Sequence, residues 1–146
     1  MQAPKAFGAE LDLVRPTTQR FMTSSLSRLL LSISAALLLL GGVVHAFAFK
    51  KAVAAVADSN LAAFYVKALK GLWLIDSATL IILACLFGLL AVRPAMAGGP
   101  VVALMALIPA ATAALLYYFV GAFMPAHLLL VAAALAFMAG LLVTRA

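Results

Sequence analysis

Charge is what this sequence has least of. Charged residues make up 10% of the chain, against about 25% in a soluble domain. Acid is scarcer still: from Leu29 onward the only carboxylate side chains are Asp58 and Asp76. Cysteine is limited to Cys85, which excludes an internal disulfide, a Cys-x-x-Cys pair and a clustered Cys/His zinc site. There is no Gly-rich phosphate loop, no His-x-x-x-His and no serine-based triad. No cofactor is expected, and nothing in these absences favours an enzyme.

In place of charge the chain has length in apolar runs. Four of them, residues 29–49, 72–92, 101–120 and 126–143, occupy most of the sequence. A bilayer core about 30 Å thick needs roughly 20 apolar residues in a helix. Continuous runs without period-two alternation mean helices, because only helices and closed barrels satisfy the backbone in lipid. The expected fold is therefore all-α, a four-transmembrane-helix up-and-down bundle over residues 29–146. At 146 residues there is no room for a separate soluble module.

The net charge of +6 raises nucleic acid as a partner. But the basic residues flank the apolar runs as anchors do, rather than forming a patch interleaved with aromatics. The expected surroundings are the lipid bilayer, with a membrane-protein partner or homo-oligomer possible and no nucleic acid. Residues 1–28 read as a disordered or surface-lying cytoplasmic segment, the first 21 carrying mixed charge, Pro4 and Pro16 without apolar periodicity. Arg28, an apolar run and Ala46-Phe47-Ala48 resemble a signal-peptide cleavage region. The 28-residue lead and the 16 residues from Leu29 to Val44 are long for one, so an uncleaved first span is the better reading. Met22 is an alternative start.

Between the spans, Lys50-Lys51 mark the expected end of the first helix near Phe49. Asp58-Ser59-Asn60 offers N-cap oxygens for the second, which from Leu61 has no reason to stop before Arg93-Pro94, though Gly71 could bend it. A helix over those residues would be about 48 Å long and would outrun the bilayer. Arg93 to Pro100 and Gly121 to Pro125 are turns by composition, the latter so short that the third and fourth helices must be antiparallel neighbours. Lys5, Arg15, Arg20, Arg28, Arg93 and Arg145 fall on one side, Lys50, Lys51, Lys67 and Lys70 on the other. That bias predicts cytoplasmic termini in the inner membrane; starting at Met22 it vanishes.

Small residues recur at close-packing spacing: Ala132, Ala136 and Gly140; Ala84 and Gly88; Ala110, Ala114 and Gly121, with Ala113 nearby. Such rows let helices approach inside the bundle, or could serve a dimer. Trp73, Tyr65, Tyr117, Tyr118 and Phe123 sit near helix ends, where interfacial anchoring accounts for them.

One polar constellation stands out. Alternating spans put His45, Asp76, Tyr117 and His127 toward the same end of the bundle. His45 and Asp76 each lie four residues inside their runs, about 6 Å below one interface, and an intramembrane acid seeks a partner. His45 shares a helical face with Ser34, Leu38 and Gly41; Asp76 shares one with Trp73, Leu80 and Leu83. The expectation is a His45–Asp76 contact, with Trp73, Tyr117 and His127 near it. It could fix helix packing or form a ligand or proton site.

Gly41-Gly42-Val43-Val44-His45, Ser59-Asn60-Leu61, and Lys70-Gly71-Leu72-Trp73-Leu74 with Asp76-Ser77 resemble uncharacterised small four-helix integral membrane proteins of bacteria. The layout is also similar to DoxX-like membrane proteins. The resemblance covers a little over a third of the chain and implies no established activity. The leading expectation is a non-enzymatic membrane protein that binds a small or lipid-like ligand or serves as an accessory subunit. The alternatives are a redox or haem-binding protein using His45 with His127, and a proton-linked transporter using Asp76.

Overall fold

The computed structural model describes residues 17–96 and 98–145, with side chains described for 25–96 and 98–143. It is an all-α four-helix bundle: α1 (Thr17–Ala57), α2 (Ala63–Val92), α3 (Gly99–Phe119) and α4 (Met124–Arg145), with a 3₁₀ turn at Pro94–Met96 between α2 and α3. The stretches Ser25–Ala57, Ala63–Val92, Gly99–Phe119 and Met124–Val143 are each long and apolar enough to cross a membrane. The protein is thus a small integral membrane protein.

Two boundaries differ from expectation. α1 does not stop at Phe49 but runs through Lys50-Lys51 to Ala57, and it begins at Thr17, well before residue 29. Lysine is a good helix former once it can reach water, so it ends burial without ending the helix. Residues 1–16, also expected to be irregular, lie outside those described. Asp58-Ser59-Asn60 does not cap α2 either. The N-cap position is Ala62, without a side-chain cap bond, while the Ser59 hydroxyl donates to Val56 O at 2.6 Å and so closes α1. Leu61 is non-helical, but from Ala63 α2 is continuous into its span as expected.

α1 packs along α2 and along α4, and α3 along α4, whereas α2 and α3 barely touch. The bundle is therefore a curved row, α2–α1–α4–α3, open between its ends. The α1–α2 seam runs in antiparallel register. Arg28 Nε donates to Ala91 O at 3.0 Å, supplying a cation to the carbonyl end of α2, which has none of its own. Farther along, Gly42 lies against Ser77, Leu80 and Ile81. Buried residues recur at three- and four-residue steps along α1 (Ser27, Leu31, Ser34, Leu38, Gly42) and along α2 (Ser77, Leu80, Ala84, Phe87, Ala91, with Leu83 beside them), one stripe per helix.

The glycine of the α1 stripe is Gly42, not Gly41. A β-carbon on Gly42 would stand 2.9 Å from Ile81 Cγ1 and 3.2 Å from Ser77 O, whereas one on Gly41 would meet nothing within 4 Å. On α4, Ala132, Ala136 and Gly140 are buried as expected. Gly140 lets α3 in so closely that a β-carbon would lie 2.9 Å from Gly99 O and 3.0 Å from Ala103 N. On α3 the expected Ala110, Ala114 and Gly121 row is not the packed one. Val102, Ala106, Pro109 and Ala113 are buried, and Gly121, at φ +93°, forms the turn.

One contact fixes the depth of everything else. Buried Ser34 Oγ donates to Ala132 O at 2.8 Å, tying the middle of α1 to α4. Counting from it at 1.5 Å per residue, α4 starts about 12 Å toward the loop end, while His45 lies about 16 Å and Ala57 about 34 Å in the same direction. The α1–α2 hairpin therefore stands roughly 22 Å past the start of α4.

Candidate functional site

His45 and Asp76 meet at the base of that hairpin. His45 Nε2 is 3.4 Å from Asp76 Oδ2, with the two side chains about a third exposed, 31% and 39%. Trp73, one turn before Asp76 on the same face, holds the histidine twice. Its indole stacks on the imidazole, centroids 4.1 Å apart and planes 7° from parallel, and its Nε1–H donates to His45 O at 2.8 Å. The helix leaves that carbonyl a lone pair for a second donor. Backbone, ring face and ring edge of His45 are thus each met by α2. A flat stack of this kind contributes about 0.5–1.5 kcal/mol beyond burial and acquires a cation–π component whenever the imidazole is protonated.

Below this clasp, Ser77 turns its hydroxyl back to Trp73 O at 3.1 Å, so its buried oxygen asks nothing of α1. Among the described residues no buried side-chain nitrogen or oxygen lacks a hydrogen-bond partner. Ser32, Thr79 and Thr112 likewise bond a carbonyl one turn back in their own helices, whereas Ser34 and Arg28 reach across to neighbouring helices. At the clasp a side chain of α1 and one of α2 pair directly.

Tyr117 and His127 do not join it. They form their own pair across the α3–α4 turn, with a hydrogen bond between Tyr117 Oη and His127 Nδ1 and rings stacked at 5.5 Å. By the Ser34–Ala132 register, His45 sits about 9 Å farther out than His127. The expected single level of four polar residues is thus two separate pairs at two depths. The difference follows from how α1 and α4 slide past each other, which hydropathy does not encode. Trp73 and Tyr117 are each held by a histidine, while Tyr118 and Phe119 point outward.

Directly above the clasp lies a half-open groove of about 360 Å³ between the walls of the hairpin, a feature sequence reasoning missed. One wall is α1 between Ala48 and Val56, the other α2 between Leu69 and Trp73, and Lys51 and Lys70 are the charged residues in its lining. Small side chains make the room: Ala48, Ala52 and Ala55 stand where larger residues would close the gap. Alanines at three- and four-residue spacing beside a lysine pair were the available signal. Trp73 belongs to both features, flooring the groove with one part of its indole while clasping His45.

The exposure of the His45–Asp76 pair sets the scale of its contribution. Partly solvated ion pairs contribute about 0–1 kcal/mol. Asp76→Asn, which keeps shape and hydrogen-bonding capacity, is expected to cost under about 1 kcal/mol. Asp76→Leu, which leaves the imidazole edge unmatched, is expected to cost more. Unfolding of both variants in the same detergent checks the order; equal cost would mean the pair does not couple the helices.

Among the described residues no group of three or more His, Cys, Asp or Glu side chains gathers to hold a metal ion. A bis-histidine axial pair would need His45 and His127 to face one plane, and they are offset along the bundle with each ring engaged elsewhere. Comparison with known proteins adds no constraint: no protein-family model matches this chain, and no curated protein or solved structure matches it either.

Proposed function

We propose that this is a non-enzymatic membrane protein that binds a small lipid-like ligand in the α1–α2 hairpin groove, at the outer face of the inner membrane. The observation that carries the reading is the groove itself: a largely apolar cleft of about 360 Å³, within the usual size range of small-molecule sites, next to a clasp that fixes its floor. Such a cleft at the membrane surface suits a molecule with an apolar chain and a polar end. The proton-linked alternative gains less support, because Asp76 lies near the loop end of the bundle and not at its middle.

Trp73 is the only tryptophan in the chain, so its fluorescence reports the groove. A single-chain amphiphile brominated along its chain is expected to quench Trp73 saturably in bilayer-reconstituted protein. Ala52→Phe, which fills the cleft, is expected to abolish the saturable part. Non-saturable quenching of the same size in both proteins would contradict the reading.

An accessory-subunit role has one observation in its favour, the open flank between α2 and α3, which a helix of another protein could occupy. Purification from native membrane under mild detergent, with or without a stoichiometric companion, decides it.

Orientation rests on the basic-residue bias alone. Reporter fusions after Ala146 and within 58–62 are expected to lie on opposite sides, the C-terminal one cytoplasmic. An external C-terminus would move the groove to the cytoplasmic face.

A further inference from the structure

The lysines of the hairpin suggest what kind of polar end the ligand carries. We infer that the groove selects a single-chain amphiphile with a carboxylate head, a fatty-acid-like anion, read by Lys51 and Lys70. This rests on the groove being a ligand site at all. The two lysines come from opposite walls, Lys51 from α1 and Lys70 from α2, so one head group between them would touch both helices. Neither makes an ion pair among the described residues. Lys50 and Lys67 add to the same field, and the hairpin's only acid is the exposed Asp58, in the loop at its far tip. Asp76 is already engaged with His45.

The chemistry of the walls argues for the tail. Apart from the lysines, the lining is alanine, valine, leucine, phenylalanine and the indole of Trp73, with no hydroxyl or amide side chain to recognise a sugar or peptide. The volume argues for one chain: about 360 Å³ is near the bottom of the range for small-molecule sites, too little for both tails of a phospholipid. Lysine stems can lie along the apolar rim while their ammonium groups stay at its edge. A chain entering from the bilayer would come to rest with its head at that rim.

The test uses the full chain in neutral phosphatidylcholine nanodiscs, three brominated probes of equal chain length (a fatty acid, a fatty alcohol and an alkylamine), and a brominated two-chain acidic phospholipid for comparison. Quenching of Trp73 is read against the mole fraction of probe in the bilayer, which removes differences in partitioning. The acid is expected to half-saturate at about a tenfold lower mole fraction than the alcohol, two partly exposed charge pairs being worth roughly that factor. The amine is expected to bind weakest. Lys51→Gln with Lys70→Gln is expected to bring the acid to the level of the alcohol measured in the same variant, with thermal unfolding unchanged. Equal saturable quenching by all three probes overturns the carboxylate assignment and leaves the groove reading standing. No saturable quenching by any probe overturns both. A preference for acid that survives the double lysine change overturns the role of the lysines, and equal quenching by a two-chain acidic phospholipid overturns the single-chain assignment.

Discussion

Replacing Gly42 by alanine is expected to cost about 1–3 kcal/mol of stability, while the same change at Gly41 costs nothing and gains up to about 1 kcal/mol. The two positions are neighbours in the same helix, so helix propensity favours alanine equally at both. What separates them is the partner. At Gly42 the new methyl meets Leu80 Cβ at 3.1 Å and the Ser77 carbonyl at 3.2 Å, atoms fixed to the α2 backbone, as well as Ile81 Cγ1 at 2.9 Å. None of the first two can swing aside, so α1 and α2 must part just below the His45 clasp. Gly140→Ala is expected to match the loss, since its methyl would press on Gly99 O and Ala103 N. Reversible unfolding in mixed detergent micelles measures all three. A Gly42 variant as stable as the Gly41 variant would mean the α1–α2 seam is looser than described.

Trp73→Ala is expected to be the most damaging change at the site, at about 2–4 kcal/mol, because one substitution removes three things. The half-buried indole loses its packing, which in full burial would be worth about 3–5 kcal/mol. The stack on His45 goes with it, and so does the bond to His45 O, worth about 1 kcal/mol. Trp73→Phe keeps a ring against the imidazole and a floor to the groove, and is expected to cost about 1 kcal/mol. If alanine and phenylalanine at 73 prove equally stable, the clasp holds nothing together.

The fold class is written in the four apolar runs, because burial in lipid imposes a length and a periodicity that single residues cannot disguise. The His45–Asp76 contact was legible too: two scarce polar residues at equal depth on consecutive antiparallel helices have few other partners. The glycine of the seam was not, since Gly41 and Gly42 differ only by the 100° turn of one residue, and the face is settled by α2. Lys50-Lys51 misled for a related reason. Hydropathy locates the edge of the bilayer, not the end of a helix, and α1 continues beyond that edge with α2 as its companion. His127 could not be placed relative to His45, because their offset depends on the register of α1 against α4. That register is marked by the bond between Ser34 and Ala132, 98 residues apart in sequence. The groove was invisible because it is a gap, made by alanines that read as ordinary helix formers until the opposing wall is in view.

A lipid-like molecule in the hairpin groove above Trp73 is the proposal on which the functional reading stands. Photo-cross-linking in native membranes tests it most directly. A fatty acid bearing a photoactivatable group at mid-chain is supplied to cells, activated by light, and its adducts are mapped by peptide mass spectrometry. Adducts are expected to concentrate between Ala48 and Val56 and between Leu69 and Trp73, and to be lost in Ala52→Phe. Adducts spread along the bilayer-facing surfaces of α3 and α4, with none in the hairpin and no change in Ala52→Phe, would contradict it.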